Sequence, residues 1–353
     1  GSSEAAPQQT LVLTETSASY TFVNIDSEPV PSLLRGFSAP VVLDCHYTDA
    51  QLLTLLAFDP DPFNRWEAAQ RLALRRALMA ILSDDPVPAA PLDDACLGAM
   101  RDVLRHPTLD AAFKELVLTL PSETYISEQL GEVDPQRVHA VREAMRLQLA
   151  QALQADWAWA YEAHKDNGAY RPDPVSTGRR ALAGMALTML CLDARASGDA
   201  VWPGRAYQRF KDAGNMTDRF NALSALVVSD HALARDALVR FHNMFQNEDL
   251  VLDKWFALQA GAPDRGGNVL PAVRQLMKHA DFHLRNPNRA RSVIFSYCSA
   301  NPGAFHRTDA AGYLYWSERV VELDAFNPQV AARLARALDR WKKLAVPYRS
   351  AAR

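Results

Sequence analysis

A mainly α fold is predicted: an α-α superhelix of HEAT or armadillo character, preceded by a small β-sheet from a partial β-sandwich. Three observations predict it. The hydrophobic period changes after Thr48 from two to about 3.6 and keeps that value to the end of the chain. Roughly fifteen helical stretches then follow with short links, too many for one four-helix bundle and suited to helix pairs stacked into a superhelix. Alanine is abundant in these stretches, and small side chains let helices approach closely. No strict sequence period is visible, so the repetition is structural.

Taken in order, Gly1-Ser2-Ser3 without an initiator Met reads as a cloning scar, and residues 1–9 as tag and linker. Residues 10–47 carry short β-favouring runs, Leu11-Val12-Leu13, Ser19-Tyr20-Thr21-Phe22-Val23, Ser32-Leu33-Leu34 and Val41-Val42-Leu43-Asp44-Cys45, with Pro29, Pro31, Gly36 and Pro40 between them. That is about four strands against the roughly seven of an immunoglobulin sandwich. Residues 48–353 form the helical domain. Asp61-Pro62 starts a helix whose face is Trp66, Ala69, Ala73, Ala77 and Ile81, ended by Pro86, Pro88 and Pro91. Helices follow near 93–104, 109–118, 122–130 and 135–165. The last carries the stripe Val138, Val141, Met145, Leu149, Leu153 and Trp157, while Trp159 and Tyr161 point elsewhere, so it is expected to be an inner helix. Nine more are expected near 176–196, 200–212, 217–228, 231–246, 249–260, 268–279, 289–298, 309–323 and 328–344, separated by loops with Gly, Asn or Pro.

Composition excludes several functions. The 38 basic and 41 acidic side chains nearly cancel, so no global positive field attracts a nucleic-acid backbone and no nucleic-acid partner is expected. Four cysteines, Cys45, Cys96, Cys191 and Cys298, lie far apart with no CxxC, which points to reduced thiols and a cytoplasmic protein. The longest apolar runs, such as 181–192, fall short of the ~20 residues a bilayer span needs, so no membrane partner is expected. There is no GxGxxG, no GxxxxGK[ST] and no GxSxG, which leaves nucleotide binding and covalent hydrolase chemistry without support.

His279 and His283 have zinc-ligand spacing for one face of a helix, but no Glu follows the first, and Leu284-Arg285-Asn286-Pro287 ends the helix; surface or capping histidines are the simpler expectation. His306 and Asp309 form a second small constellation, in which Thr308 or Asp309 serves better as a helix cap. The seven tryptophans sit mostly in apolar stripes and are expected in the core. Arg285, Arg289, Arg291, Arg333 and Arg336 form a cationic set near the C-terminus. Their planar donors suit carboxylates and carbonyls lining a cavity, or else compensate helix ends.

Several strings carry a resemblance: Glu28-Pro29-Val30-Pro31-Ser32-Leu33-Leu34-Arg35-Gly36-Phe37-Ser38-Ala39-Pro40-Val41, Gly214-Asn215-Met216-Thr217-Asp218 and Leu250-Val251-Leu252-Asp253-Lys254-Trp255-Phe256. With Asn286-Pro287-Asn288-Arg289-Ala290-Arg291-Ser292, Asn301-Pro302-Gly303-Ala304-Phe305-His306 and Asn327-Pro328-Gln329-Val330-Ala331, they resemble, in order over about 10–340, the C-terminal half of the bacterial aminopeptidase N family of gluzincin zinc metallopeptidases. The resemblance implies the end of a β-sandwich followed by the helical domain that closes over the active site. It also implies a parent that removes N-terminal residues from peptides with a zinc-activated water, held by a His-Glu-x-x-His helix. That motif does not occur in this sequence, so the chain alone is expected to hold no cofactor, the parent zinc, and to be inactive by itself. By motif, the family's channel-lining positions fall on Arg291 and Arg333, with Gln329 on the same segment, as binding and not catalytic residues. The implied partners are the catalytic and N-terminal domains of the same parent chain, and short peptides. The family's helical domain runs on for several turns beyond the Arg333 segment, so a piece of a longer protein is expected.

The function so implied is a lid and substrate-channel domain of a zinc aminopeptidase. Two other classes compete: an autonomous α-solenoid that binds protein or peptide in its concave face, and a metalloenzyme built on His279 and His283.

Overall fold

The computed structural model of the chain describes residues 8–353, so most of the 1–9 tag and linker reading lies outside the described residues. Among them the fold is mainly α. The strands expected between 10 and 47 do not form: this stretch is irregular apart from one turn of 3-10 helix, Arg35–Phe37. Leu11, Val12, Leu13, Val23 and Val42 are all exposed. The physical reason is that alternating side chains settle into a sheet only where a second layer buries the face they create, and among the described residues none covers these exposed side chains.

The part of this segment nearest the helices is strapped down by polar groups. The Tyr47 hydroxyl donates to the Pro31 carbonyl at 2.8 Å, and the Asn64 amide donates to the Ser32 hydroxyl and the Leu33 carbonyl. Arg35 pairs at 2.8 Å with Asp59, whose side chain is almost fully buried. Arg71 and Arg75 donate to the Cys45 and Tyr47 carbonyls.

Helices follow in chain order. They begin with α1 (Asp49–Phe58), α2 (Pro62–Leu82), α3 (Asp94–Arg105), α4 (Ala111–Leu118), α5 (Glu123–Glu128), α6 (Pro135–Ala152) and α7 (Gln154–His164). Next come α8 (Pro174–Ser197), α9 (Val201–Asp212), α10 (Met216–Val228), α11 (Leu233–Phe245), α12 (Asp249–Ala260) and α13 (Val269–Leu276). The chain ends with α14 (Pro287–Ala290), α15 (Ser296–Cys298), α16 (Pro302–Phe305), α17 (Ala311–Asp324), α18 (Pro328–Ala335) and α19 (Val346–Ala351). Most starts are encoded by a side chain that accepts from an otherwise orphaned backbone N–H. Thr48 and Gln51 form a reciprocal capping box on α1, and Asp61, Asp93, Asp110, Ser122, Asp134 and Asp173 cap α2 to α6 and α8. Proline occupies the first turn of α2, α6 and α8, where no N–H is needed.

Three boundaries differ from the sequence expectation. The helix expected over 135–165 breaks at Leu153 (φ −111°, ψ 22°) into α6 and α7. The Leu149 carbonyl there accepts both the Leu153 N–H at 3.2 Å and the Trp157 indole at 3.0 Å, so the break buries Leu149, Leu153 and Trp157 completely. α13 ends at Leu276, short of His279. The helix expected over 328–344 stops at Ala335 and continues as 3-10 turns, Arg336–Leu338 and Trp341–Lys343, because the chain turns to pair with another segment.

The core is continuous. α8 packs on α4, α6, α7, α9 and α10, and buries residues on several sides, including Leu182, Ala186, Leu190 and Cys191. A second nucleus holds Tyr297, Phe305 and Tyr315 edge to face. A glycine is needed at 312 because a Cβ there would run into the Phe305 carbonyl, where α17 passes α16. Of the tryptophans, Trp157, Trp202 and Trp255 are buried and Trp66, Trp316 and Trp341 partly so; Trp159 is 36% exposed.

Candidate functional site

The chain's return near its end builds a cleft of about 490 Å³ between the α5–α6 corner, the segment from Phe295 to His306, and residues 333–344. Its local causes are legible. Asn327 caps α18 by accepting the Val330 N–H, and Pro328 opens the helix. Val330, Ala331 and Leu334 are buried, so Gln329 and Arg333, four residues apart, share the outward side and are exposed. Val133 donates to the Lys343 carbonyl (2.8 Å) and accepts from the Ala345 N–H (2.7 Å), an isolated parallel bridge that docks the end of the chain against the loop before α6.

Arg333, Arg336, Arg340 and Lys343 line one wall of the cleft, and Glu123 and Glu128 lie across from them. Arg340 pairs with Glu128 at 2.7 Å and Arg336 with Asp339 at 3.2 Å. Arg333 has no carboxylate within salt-bridge distance among the described residues, and so keeps all its guanidinium donors available.

Arg291 lies elsewhere. It opens a π-helical turn, Arg291–Phe295, between α14 and α15, and its side chain is exposed. Phe295, at the other end of that turn, lines the cleft, but Arg291 does not. The rest of the expected cationic set disperses. Arg289 is buried and paired to Asp253, and Arg285 lies over the Phe326 ring at 5.0 Å. The residues missed from sequence are Arg340, Lys343, Glu123 and Glu128; His306 was singled out, but with Asp309 and not with these. They converge through tertiary pairing across some two hundred positions, as the Arg340–Glu128 contact shows, and no local signal marks that.

His306 sits in the cleft floor, with Nδ1 2.9 Å from the Tyr313 hydroxyl, and burial pushes its imidazole down to about 4. Nearby, the Glu123 carboxylate 2.8 Å from His139 holds that imidazole above its ordinary value. The signs oppose. His306 binds its proton less readily folded than unfolded, so its contribution to stability is lost as pH falls from about 6.5 towards about 4. The His139 contribution is fully present below about 6.5 and is lost above it, as pH rises through the raised folded value. The His306→Gln variant is therefore expected to lose less stability on acidification from about pH 6.5 to about pH 4, by on the order of 3 kcal/mol, in urea unfolding across that range. Equal acid sensitivity in variant and parent would show that His306 does not carry the effect. Asp309 pairs with Arg307 and accepts the Ala311 N–H, which hold its carboxyl at about 2, beside the start of α17.

His279 and His283 are not on one helix. α13 ends before either, and His283 is exposed. His279 instead meets His242 and Asp281. No helix among the described residues is long and apolar enough to cross a membrane. All four cysteines are free, and three are buried.

Comparison with known proteins places this architecture. Residues 49–353 match the family described as a domain of unknown function with ARM repeats (DUF3458_C), and residues 1–46 match a domain of unknown function of Ig-like fold (DUF3458). The chain is 36% identical over 335 residues to aminopeptidase N of Escherichia coli K12, covering 94% of this chain and 38% of that protein. It is 35% identical over 334 residues to aminopeptidase N of Haemophilus influenzae, covering 94% of this chain and 37% of that protein. The chain thus spans well under half the length of these curated relatives. Among solved structures, that of Legionella pneumophila aminopeptidase A in complex with aspartic acid superposes with a TM-score of 0.80 at 27% identity, covering 94% of this chain and 39% of that one. The chain belongs to the DUF3458_C family of ARM-repeat domains and is homologous to the C-terminal helical domain of aminopeptidases.

Proposed function

We propose that the chain is the helical lid and substrate-channel wall of a longer zinc-dependent aminopeptidase, which removes N-terminal residues from short peptides. The observation that carries this reading is the 35–36% identity to two aminopeptidases N along 94% of the chain. In it the catalytic and N-terminal domains of the same polypeptide are the partners. Among the described residues the group of three side chains arranged to hold a metal ion is His242, His279 and Asp281, which are not among the cleft residues. On this reading the ligands of the catalytic metal come from those other domains, which would use it to activate water. Four free thiols suit the reducing, cytoplasmic location that goes with this reading.

The part played by this chain is binding. Arg333, unpaired in the cleft and followed by Arg336, Arg340 and Lys343, offers planar donors to carbonyls or to the carboxylate of a short peptide. Gln329, on the same outward side of α18 as Arg333, would extend that wall, and Arg291, exposed outside the cleft, would meet substrate from a separate part of the channel in the assembled enzyme. An autonomous interaction module is not favoured, because the similarity runs to aminopeptidases along nearly the whole chain.

The test mixes this chain with the separately produced remainder of its parent and follows hydrolysis of a short alanyl peptide. Activity should appear only on mixing. Arg333→Ala should raise KM about tenfold with kcat little changed, the loss of one charged hydrogen bond made equally in ground and transition states. Hydrolysis by the chain alone, or failure of the two parts to associate, would refute the reading.

A further inference from the structure

A second polar site lies outside the cleft. His242, in the last turn of α11, places Nε2 2.6 Å from an Asp281 carboxylate oxygen, and His279 Nδ1 lies 3.6 Å from the same oxygen. One ligand atom from each of the three residues falls within 4.8 Å of the other two. Two imidazoles and a carboxylate form the donor set of many three-residue zinc sites, in which water completes the tetrahedron. All three side chains are only partly buried, between 18% and 35% exposed, which leaves room for that fourth ligand.

The surroundings fix the donors as an outer shell fixes metal ligands. Trp255 packs on both imidazoles, with ring centroids 5.1 Å from His242 and 5.3 Å from His279, and Phe256 meets His279 edge to face. The indole of Trp255 is itself held by the Leu238 carbonyl at 2.9 Å. The main-chain carbonyl of Asp281 is held by Arg289, whose charge is answered by Asp253 and Asp249.

We propose that His242, His279 and Asp281 form a binding site for one divalent transition metal ion of the zinc class. It ties the loop after α13 to α11. Binding needs the bond between His242 and Asp281 to open by less than 1 Å, to roughly the 3.3–3.5 Å that separates tetrahedral ligands, and His279 Nδ1 to release the Asp281 N–H that it accepts at 3.2 Å. The mixed nitrogen and oxygen set favours Zn²⁺ or Cu²⁺ over Mg²⁺ and Ca²⁺.

The test titrates the metal-free chain with Zn²⁺ against a chromogenic zinc indicator, and with Co²⁺ by visible absorption, whose intensity reports four-coordination. One equivalent should bind, and thermal unfolding should shift upward with zinc but not with Mg²⁺. His242→Ala and His279→Ala should each weaken binding by more than the roughly 10–100-fold typical of losing an outer partner, while His283→Ala leaves it unchanged. Should an alanine variant not fold, His242→Gln and Asp281→Asn, which keep size and polarity, carry the comparison. Absence of stoichiometric binding by the wild-type chain, or binding insensitive to His242→Gln and Asp281→Asn, would overturn the proposal. These readouts need no peptidase activity, so they stand apart from the lid reading.

Discussion

Replacing Arg289 by methionine is expected to destabilise the chain by about 3–5 kcal/mol in urea unfolding, because it strands the partner of a buried pair. Arg289 is 2% exposed, contacts Asp253 at 2.5 Å and the Asp281 main-chain carbonyl, and lies over the Phe256 ring at 5.0 Å. The contact to Asp249, whose side chain is 81% exposed, adds little, since water screens it. The loss should come almost wholly from Asp253, left 15% exposed with no counter-charge. The double variant Arg289→Met with Asp253→Leu should therefore recover most of the stability, since an apolar pair can replace a buried ion pair at little net cost. A single variant within about 1 kcal/mol of wild type, or a double variant no better than the single, would show that the pair is not the source.

Trp157→Ala should cost about as much, roughly 3–5 kcal/mol, through a cavity where the largest fully buried side chain now sits. Two effects add there. The indole leaves a void between α7 and its neighbours, and the Leu149 carbonyl loses its shorter hydrogen bond at 3.0 Å, keeping the 3.2 Å bond from Leu153. Trp157→Phe fills most of the void but lacks the donor, so it should recover the larger part of the loss and leave about 1 kcal/mol attributable to the hydrogen bond. A Phe variant as unstable as the Ala variant would put the weight on the hydrogen bond and the helix break instead of on packing.

Much of this fold was legible in the residues because helix starts carry local chemistry. Asp61-Pro62, Asp134-Pro135 and Asp173-Pro174 each combine a side-chain acceptor with a proline at the first helical turn, and each opens a helix in the structure. Helix ends were less legible, because packing decides them. Nothing local to Leu153 announces a break, and the run after Ala335 is Ala- and Arg-rich yet leaves the helix to reach Val133. The N-terminal runs alternate as strands do, but alternation forms a sheet only when something covers its face, and the exposed Val12, Val23 and Val42 have no cover within the chain.

The candidate sites divide along the same line. Arg333 was found through motif resemblance and stands in the cleft, yet Arg340 and Lys343 beside it come from a docked segment that only tertiary pairing places. His279 was singled out with His283 by spacing alone. The end of α13 at Leu276 separates them, and folding supplies His242 and Asp281 as its neighbours.

The crowding of α8 by α4, α6, α7, α9 and α10 has a thermodynamic consequence. In an ideal solenoid each unit touches only the units before and after it, so the array can fray from either end, one unit at a time. Here no end unit in that region can peel away without uncovering a helix that five others share. From α4 to α10 the domain should therefore melt as one block, a rigid hub on which the more loosely coupled helices after it are carried.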